Sequence, residues 1–312
     1  MTCHNCQIAA KKFGKDRKGV QRFRCNGCKK TFSEIQDRPL GTMRLPMEKA
    51  LQVLQLLVEG VSIRSAERIT GVEKKTILAL LERVGERCEM LLENLIRNVP
   101  VKDVQCDELW AFVQMKEKTK TRKALTTEKL GDAYCFVAIE RSTKLVLSWH
   151  LGRRSAGDTE VFISKVDHAT QGEFQITTDG FAPYRDAIGF TLGGRTDFAQ
   201  LIKVYGEQPD EHRYSPAKVL STQTERQHGR PDPDRVCTSH IERQNLTIRM
   251  SMRRLTRLTN GFSKKWENLK AAYALHFAHY NFCRIHSSIK CTPAMEAGIT
   301  KSVWTLKDLL TA

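Results

Sequence analysis

Acidic residues and long apolar segments are both scarce in this 312-residue chain. Asp and Glu number 35 against 51 Lys and Arg, which leaves a formal net charge of +16. An excess of this size favours a polyanionic partner, with nucleic acid first and an anionic membrane surface second. No apolar run approaches the roughly 20 residues that a membrane helix needs, so we expect no membrane-spanning segment.

A leader-like segment and a secretory cysteine pattern are missing as well. The sequence begins MTCHNC, without a basic and then apolar stretch, so nothing marks the protein for export. Of the ten cysteines, four stand in two close pairs and six are scattered among apolar neighbours, as is typical of reduced intracellular thiols. The sequence therefore predicts a cytoplasmic protein that binds nucleic acid.

The paired cysteines lie in the first 36 residues, which we expect to form a zinc ribbon. Cys3-x-x-Cys6 is followed after eighteen residues by Cys25-x-x-Cys28, a spacing that supplies the four thiolates of one tetrahedral, structural Zn²⁺ site. Three phenylalanines would pack around this site: Phe13, Phe23 and Phe32. Nine Lys or Arg residues in the same stretch would contact DNA phosphates. The alternative is four ordinary thiols.

The sequence pattern of residues 37–100 predicts a helical, DNA-binding domain. The turn-rich segment at 37–46 leads into an apolar stripe of helical spacing that Gly60 closes. Ser62 is a candidate N-cap for a short helix that ends at Gly71, and a longer helix then opens with Lys74, Lys75 and Thr76. This order resembles a helix-turn-helix, whose second helix enters the major groove and would bring these three residues to DNA. The alternative is a helical bundle with a solvated, charged face.

Residues 101–312 change to an α/β pattern. Three strands, an amphipathic helix, a strand that ends at Asp179-Gly180, further α/β segments and a basic helix follow in the order of a ribonuclease H-like domain. Residues 206–237 are polar and contain prolines, so we expect a loop insertion there. The expected fold is a multidomain α+β protein with a zinc ribbon, a helix-turn-helix domain and a ribonuclease H-like catalytic domain.

Three carboxylates in this last segment are candidate ligands for hard divalent cations. Asp107 lies inside an apolar strand, Asp179 ends another strand, and Glu242 stands alone in a basic helix. Enzymes that cut or join DNA hold two divalent cations roughly 4 Å apart with such oxygen ligands. Each also has an ordinary explanation. Asp107 could end a strand, in which case Glu108 could be the functional group instead. Asp179 could belong to a turn, and Glu242 could neutralise a neighbouring arginine.

The helix that carries Glu242 is otherwise strongly basic. Helical spacing places Glu242, Asn245 and Arg249 on one face, beside a buried stripe that contains Ile241 and Ile248. We expect Arg249 to contact the phosphate near a cleavage site. The later cations would grip flanking DNA: Arg253, Arg254, Arg257, Lys264 and Lys265.

Four segments together resemble the insertion-sequence-one family of transposases, which are enzymes of the DDE class. They are CDELWAFV, TTDGFAPY, HIERQNLTIRMSMRRLTRLTNGFSKKWEN and HYNFCRIHSSIKCTPAMEAGI, and the likeness runs from about Met47 to Leu310. It implies a ribonuclease H-like core whose metal-binding, catalytic triad falls on Asp107, Asp179 and Glu242. The 62 residues between the last two exceed what the founding members of the family use, which we interpret as an insertion.

The resemblance implies a DNA transposase that binds terminal inverted repeats, cleaves the strand ends and joins the 3′-hydroxyls to target DNA. Two Mg²⁺ ions per active site would serve this chemistry, with Mn²⁺ able to substitute. The partners would be double-stranded DNA and further copies of the chain in a synaptic complex. The alternatives are a catalytically silent zinc-ribbon and helix-turn-helix regulator, and a ribonuclease H-type hydrolase that joins no strands.

Overall fold

The computed structural model describes residues 1–3, 5–17, 19–33, 39–206, 219–256 and 259–312. They divide into two compact units, Met1–Met43 and Arg44–Ala312. The described residues are mixed α/β, with ten α-helices and a six-stranded mixed sheet. None of the described helices is both long and apolar enough to cross a lipid bilayer.

The first unit is a small antiparallel sheet. Its strands are β1 (Ala10–Lys15), β2 (Gln21–Cys25) and β3 (Thr31–Ser33). Phe23 and Phe32 stack with their ring centres 6.0 Å apart, and their packing around the cysteine site stays a prediction. The expectation for Phe13 was wrong, because this ring is 44% exposed and lies under the guanidinium groups of Arg22 and Arg24. Five of the six residues of β1 are exposed, Phe13 among them, and cation–π contacts hold its ring there.

The second unit begins with three helices, α1 (Met47–Val58), α2 (Ile63–Thr70) and α3 (Lys74–Leu95). Ser62 caps α2, accepting a hydrogen bond from the Ser65 amide at 3.1 Å, and Gly71 ends α2 with a positive φ of 71°. Both were predicted. The short α2, the glycine turn and the longer α3 keep the order of a helix-turn-helix, and a separate domain over residues 37–100 stays a prediction.

The second half of α3 crosses a long helix near the C-terminal end of the sequence, α8 (Trp266–Phe282). The two backbones approach so closely that a Cβ on Gly85 would lie 2.5 Å from the Cα of Ala271. Only glycine fits such a crossing. The predicted DNA-binding helix is therefore packed into the same compact unit as the sheet.

The large sheet has the strand order β11-β10-β9-β5-β6-β7. The strands β5, β6 and β7 pair antiparallel, β9 and β10 add in parallel beside β5, and β11 pairs antiparallel with β10. A separate pair is formed by β4 and β8. The strand bounds are β4 Val99–Pro100, β5 Asp103–Val113, β6 Gly131–Glu140, β7 Val146–Gly152, β8 Thr170–Gln171, β9 Phe174–Thr178, β10 Thr196–Tyr205 and β11 Val219–His228.

Helices cover both faces of this sheet. On one face Phe136 packs against Phe162 of α5 and Tyr184 of α6, with ring centres 5.5 and 6.5 Å away. On the other face Trp149 packs against Tyr273 and Phe277 of α8. The remaining helices are α4 Glu117–Arg122, α5 Ala156–Ala169, α6 Pro183–Leu192, α7 Ser239–Ser251, α9 Pro293–Glu296 and α10 Leu306–Thr311, with short 3₁₀ turns at Pro233–Arg235 and Arg253–Leu255.

Part of the expected loop insertion is a strand. Residues 207–218 lie outside the described residues, but Val219–His228 forms β11 along the free edge of β10. The expectation of loop failed here because the segment is polar on both faces. Its Thr222 and Thr224 suit a strand, and pairing with β10 satisfies the backbone without burying apolar side chains.

Candidate metal centres and basic cleft

The four cysteines of the first unit converge on one point. Their sulfur atoms all lie within 4.8 Å of one another, and those of Cys3 and Cys28 are 3.7 Å apart. Zn–S bonds of about 2.3 Å at tetrahedral angles place two sulfurs about 3.8 Å apart. The spacing therefore suits a zinc ion.

Two similar knuckles position these thiols. In each knuckle the residue after the second cysteine, Gln7 or Lys29, has a positive φ and donates its amide to the carbonyl of the first cysteine. The pKa of Cys28 is lowered to about 6, first by the backbone hydrogen bond at Lys30 and then by the neighbouring Cys6 thiol. The pKa of Cys6 is raised to about 11, first by its hydrogen bond with the Cys28 thiol. Zinc requires its sulfur ligands as thiolates, so binding would release the proton that Cys6 retains. Four sulfur ligands would fill the tetrahedral coordination of zinc and leave no position for water, as in a closed, structural site.

The carboxylates of the second unit meet where β5 and β9 run side by side. These strands are parallel, and Gln105 pairs with Thr177, so the same register brings Asp107 level with Asp179 just past the end of β9. One carboxylate oxygen each of Asp107, Glu108 and Asp179 lies within 4.8 Å of the others. Parallel pairing of two strands thus creates an acidic cluster from residues 72 positions apart.

Asp107 and Glu108 point to opposite faces of the sheet. Cross-strand partners share a face, and Asp107 pairs with Val137 while Glu108 pairs with Phe136. Asp107 therefore faces the α7 and α8 side. Glu108 faces the α5 and α6 side, with only 3% of its side chain exposed. Its Oε1 has no hydrogen-bond partner among the described residues.

Crowding and burial make both carboxylates hard to ionise. The pKa of Asp107 is raised to about 7, first by burial and then by the charge of Asp179. The pKa of Glu108 is also raised to about 7, with burial first and Asp179 second. A divalent cation would relieve this repulsion, and its preferred ligands are such oxygens. The acidic cluster therefore fits a hard metal ion.

Glu242 approaches the cluster from α7 without joining it. Its charge contributes to the raised pKa of Asp107, although it is not part of the 4.8 Å group among the described residues. The carboxylate contacts the ammonium of Lys203 on β10 and the hydroxyl of Thr238. One turn further along α7, Asn245 donates a hydrogen bond of 2.8 Å to Oδ2 of Asp107. The helix face expected from the spacing of three thus lies over β5.

Arg249, from the same helix, is directed at the backbone. Its guanidinium donates to the carbonyls of Trp110 at 3.3 Å and Leu255 at 3.4 Å. Those contacts fasten the end of α7 to β5 and to the 3₁₀ turn that follows α7. A contact with the scissile phosphate remains a prediction.

Two cations beside the carboxylates were missed in the sequence. Arg154 lies 3.3 Å from Glu108 and 3.7 Å from Asp179, with its guanidinium 4.2 Å from the ring centre of Phe181. The second cation is Lys203, whose ammonium forms an ion pair with the carboxylate of Glu242. Neither stands in a segment with a recognisable pattern, since Arg154 precedes α5 and Lys203 lies mid-strand. Their position beside the carboxylates follows from the order of the strands in the sheet, which the sequence pattern does not reveal.

Five of the nine predicted DNA-binding residues of the second unit line one cleft of about 1200 Å³. The cleft lies between the turn that precedes α2, the first turn of α3, the segment after α7 and the first turns of α8. Its cations from the predicted set are Lys74, Arg253, Arg254, Lys264 and Lys265. Lys75 and Thr76 follow Lys74 at the start of α3, and Arg257 lies outside the described residues. The fold thus gathers cations from sequence segments about 180 residues apart.

No protein-family model matches this chain, and no curated protein matches its sequence. Among solved structures, one similar chain comes from the crystal structure of a pre-cleavage Mos1 transpososome, at 13% identity and a TM-score of 0.19. The match covers 53% of this chain and 62% of the other, so this chain spans less than two thirds of that chain's length. A TM-score of this size carries no argument about fold or activity.

Proposed function

We propose that this protein is a DDE-class DNA transposase of the insertion-sequence-one family, with a ribonuclease H-like catalytic core. The observation that carries the proposal is the meeting of Asp107 and Asp179 on adjacent parallel strands, with Glu242 approaching from a helix over the same strand. The sheet order supports the core, because three antiparallel strands precede two parallel ones that add beside the first.

Asp107, Asp179 and Glu242 would hold two Mg²⁺ ions, for which Mn²⁺ can substitute. Bound metal supplies activation of the attacking oxygen and charge stabilisation of the leaving oxygen during phosphoryl transfer. The protein itself orients and neutralises. Asn245 holds the Asp107 carboxylate in place, and Lys203 and Arg154 balance the charge of the cluster next to the incoming phosphodiester.

DNA would lie along the basic surfaces of the same unit and on the zinc-bound ribbon. The first turn of α3 would read the terminal inverted repeats through Lys74, Lys75 and Thr76, as the second helix of a helix-turn-helix does. The cations that follow α7 would hold the flanking or target duplex by charge. Strand joining between two ends requires further copies of the chain in one synaptic complex, formed in the cytoplasm.

The test uses full-length protein with duplex DNA that carries the ends of its own element. In Mg²⁺ we expect strand cleavage at the ends and joining of the 3′-hydroxyls to a plasmid target. Asp179→Asn should lose both products while keeping its affinity for the ends, and Asp186→Asn, an exposed carboxylate on α6, should behave as wild type. If wild-type protein binds the ends but releases no cleaved strand in Mg²⁺ or Mn²⁺, the protein is a DNA-binding regulator.

A further inference from the structure

The buried side chain of Gln105 contacts the segment that leads into α7. Gln105 lies on β5 and is fully buried, with 0% of its surface exposed. Its Oε1 accepts hydrogen bonds from the backbone amides of His240 and Ile241, both at 3.1 Å. Its Nε2 lies 3.0 Å from the sulfur of Cys237, just before the helix. One side chain of the sheet thus holds three residues at the start of the helix that carries Glu242.

The two amides are those that an N-cap side chain ordinarily satisfies. The first four amides of a helix have no partner within it, and the N-cap oxygen accepts from the second or third residue. His240 and Ile241 are the second and third residues of α7. Thr238 is the N-cap residue, yet its side chain forms no capping hydrogen bond among the described residues. Gln105 therefore caps the helix in its place, from the neighbouring sheet.

The Thr238 hydroxyl contacts Glu242 instead. It donates a hydrogen bond to the Glu242 carboxylate, which also pairs with the ammonium of Lys203. The backbone of Thr238 has a φ of −116° and a ψ of 7°, whereas an N-cap residue usually adopts an extended conformation. Because Gln105 satisfies the two amides, the Thr238 side chain can turn to the carboxylate. Capping of α7 and orientation of Glu242 are thus divided between two residues.

A second contact anchors α7 to β5 on the other side of Glu242. Asn245 donates to Oδ2 of Asp107 at 2.8 Å. Gln105 and Asp107 are two residues apart on one strand, so their side chains leave the same face of the sheet. Two residues of strand span about 7 Å, and the four residues from Ile241 to Asn245 span about 6 Å of helix. The two anchors are therefore spaced alike on strand and helix, with Glu242 between them.

Gln105 is an unusual residue for its position. It pairs across the sheet with Ile139, which is 2% exposed, and a side chain buried there is ordinarily apolar. An amide is stable in such a place only when its hydrogen bonds are made. Because its oxygen bonds the backbone of α7, those bonds depend on where the first turn of α7 lies. Burial of Gln105 is thus linked to the position of Glu242.

We propose that Gln105 is a positioning residue for Glu242. By capping α7 from β5, it fixes the first turn of the helix against the strand that carries Asp107, so that the two carboxylates keep one spacing. Thr238 then orients the Glu242 carboxylate. The inference rests on the proposed function and extends it to a residue that binds neither metal nor DNA.

The main test uses full-length Gln105→Met, which keeps the length of the side chain and removes the accepting oxygen. It should slow single-turnover cleavage of end DNA in Mg²⁺ by about 10- to 100-fold and weaken Mn²⁺ binding to a similar degree, the loss typical of residues that orient a metal ligand. Affinity for the end DNA should stay within about twofold of wild type, since no phosphate contact is lost. Gln105→Glu keeps an accepting oxygen at the helix N-terminus and should lose less than about fivefold in either measurement.

Asn281→Leu is the matched control for lost buried hydrogen bonds. Asn281 is 0% exposed and makes two hydrogen bonds, of 3.0 and 2.9 Å, with the backbone of Val146 on β7. This variant should be destabilised like Gln105→Met, yet cleave DNA and bind Mn²⁺ as wild type does. Equal cleavage and equal Mn²⁺ binding by the two variants, or a Gln105→Glu variant as defective as Gln105→Met, would overturn the proposal.

Hydrogen exchange at single amides reports the cap directly and keeps the test valid if Gln105→Met does not fold. In Gln105→Met the amides of His240 and Ile241 should exchange about 2- to 30-fold faster, the range for a lost cap. Thr238→Val should leave their exchange within about twofold of wild type and still slow cleavage about tenfold, because only the contact with Glu242 is lost. Faster exchange of these amides in Thr238→Val would show that Thr238 caps the helix, and the proposal would fail.

The exchange and Mn²⁺ measurements are independent of cleavage. If wild-type protein cuts no DNA but Gln105→Met shows both expected changes, only the proposed enzymatic function fails. If wild-type protein cuts DNA and Gln105→Met matches Asn281→Leu in cleavage and Mn²⁺ binding, only the positioning role fails.

Discussion

The cysteine cluster and the acidic cluster relate to their surroundings in opposite ways. In Met1–Met43 the buried apolar side chains among the described residues are few, and two of them, Cys3 and Cys25, are the candidate metal ligands themselves. In Arg44–Ala312 a large apolar core surrounds the carboxylates and raises the pKa values of Asp107 and Glu108. Metal would therefore complete the core of the first unit, whereas the second unit holds its acidic site against an electrostatic cost.

The two clusters differ in what a bound metal would do for the fold. Zinc would be required for the first unit to fold, whereas a metal at the acidic cluster would only offset the charge repulsion there. Small units without a sufficient core fold on binding zinc, so their stability is the metal-binding free energy. The acidic cluster is instead built on two paired strands and a helix, rigid elements whose stability does not depend on a metal.

The largest effect should follow from removing the zinc ligands. Cys25→Ser, or a strong chelator, should unfold the first unit, because structural zinc contributes on the order of 10 kcal/mol. The second unit should keep its melting temperature, since it contains none of these four ligands. Hydrogen exchange resolves the two units in one experiment. Cys291→Ser, outside the cluster, is the control, and a first unit that stays protected in Cys25→Ser would show that zinc does not hold it.

The next effect concerns which carboxylates do chemistry. Asp107→Asn and Glu242→Gln should each slow DNA cleavage by more than about 10³-fold, because each removes a negatively charged oxygen from the site. Glu108→Gln should slow it far less, since Glu108 faces the other side of the sheet. Single-turnover cleavage with zinc content measured in parallel checks both clusters. A Glu108→Gln variant as inactive as Asp107→Asn would move the catalytic group to the opposite face.

A third prediction tests the core that carries the acidic site. Gly85→Ala should lower the free energy of unfolding of the second unit by about 1–3 kcal/mol, because the new methyl group overlaps Ala271 of α8. Gly189→Ala, in α6, has nothing within 4 Å of the added Cβ and should stabilise by about 0.5–1 kcal/mol. Denaturant titrations compare the two. The first unit's zinc content should be the same in both variants.

The smallest effect is a pH dependence confined to the acidic cluster. The pKa of Glu108 rises on folding from an ordinary 4.5 to about 7, so the folded state binds the extra proton between these values. The contribution of Glu108 to stability without added metal should therefore fall as pH rises from about 4 to about 7.

Removing this titration should recover the lost stability. Glu108→Gln should be more stable than wild type at pH 8 by about 1–2 kcal/mol and about equal to it at pH 4, and saturating Mg²⁺ should shrink the gain. Unfolding curves at the two pH values measure it. No gain at pH 8 would mean that the cluster carries no electrostatic strain.

Local patterns predicted the elements well and the spatial assembly poorly. The N-cap at Ser62, the stop at Gly71 and the strand that carries Asp107 follow from short-range chemistry, and all are present. The edge strand β11 was missed because its polar side chains show no alternation of buried and exposed residues. The exposed Phe13 was misjudged because an aromatic ring can rest on arginines as well as in a core.

For the candidate sites, the sequence revealed residues that are close along one segment, but not the contacts between residues on different strands. The cysteine pairs predicted their own convergence, since ligand and loop are adjacent in sequence. Helical spacing predicted Asn245 beside Glu242, but the contacts of Arg154 with Asp179 and of Lys203 with Glu242 depend on strand order. Long-range contacts of that kind leave no periodic signal in one sequence.

The most direct test of the division between the clusters is the Mn²⁺ stoichiometry of zinc-containing, full-length protein, followed by electron paramagnetic resonance of free Mn²⁺. Wild type should bind two Mn²⁺ ions per chain at the acidic cluster, and Asp107→Asn combined with Asp179→Asn should bind neither, with one zinc retained in both proteins. Equal Mn²⁺ binding by the double variant and wild type would contradict the account, because the metal would then lie outside these carboxylates.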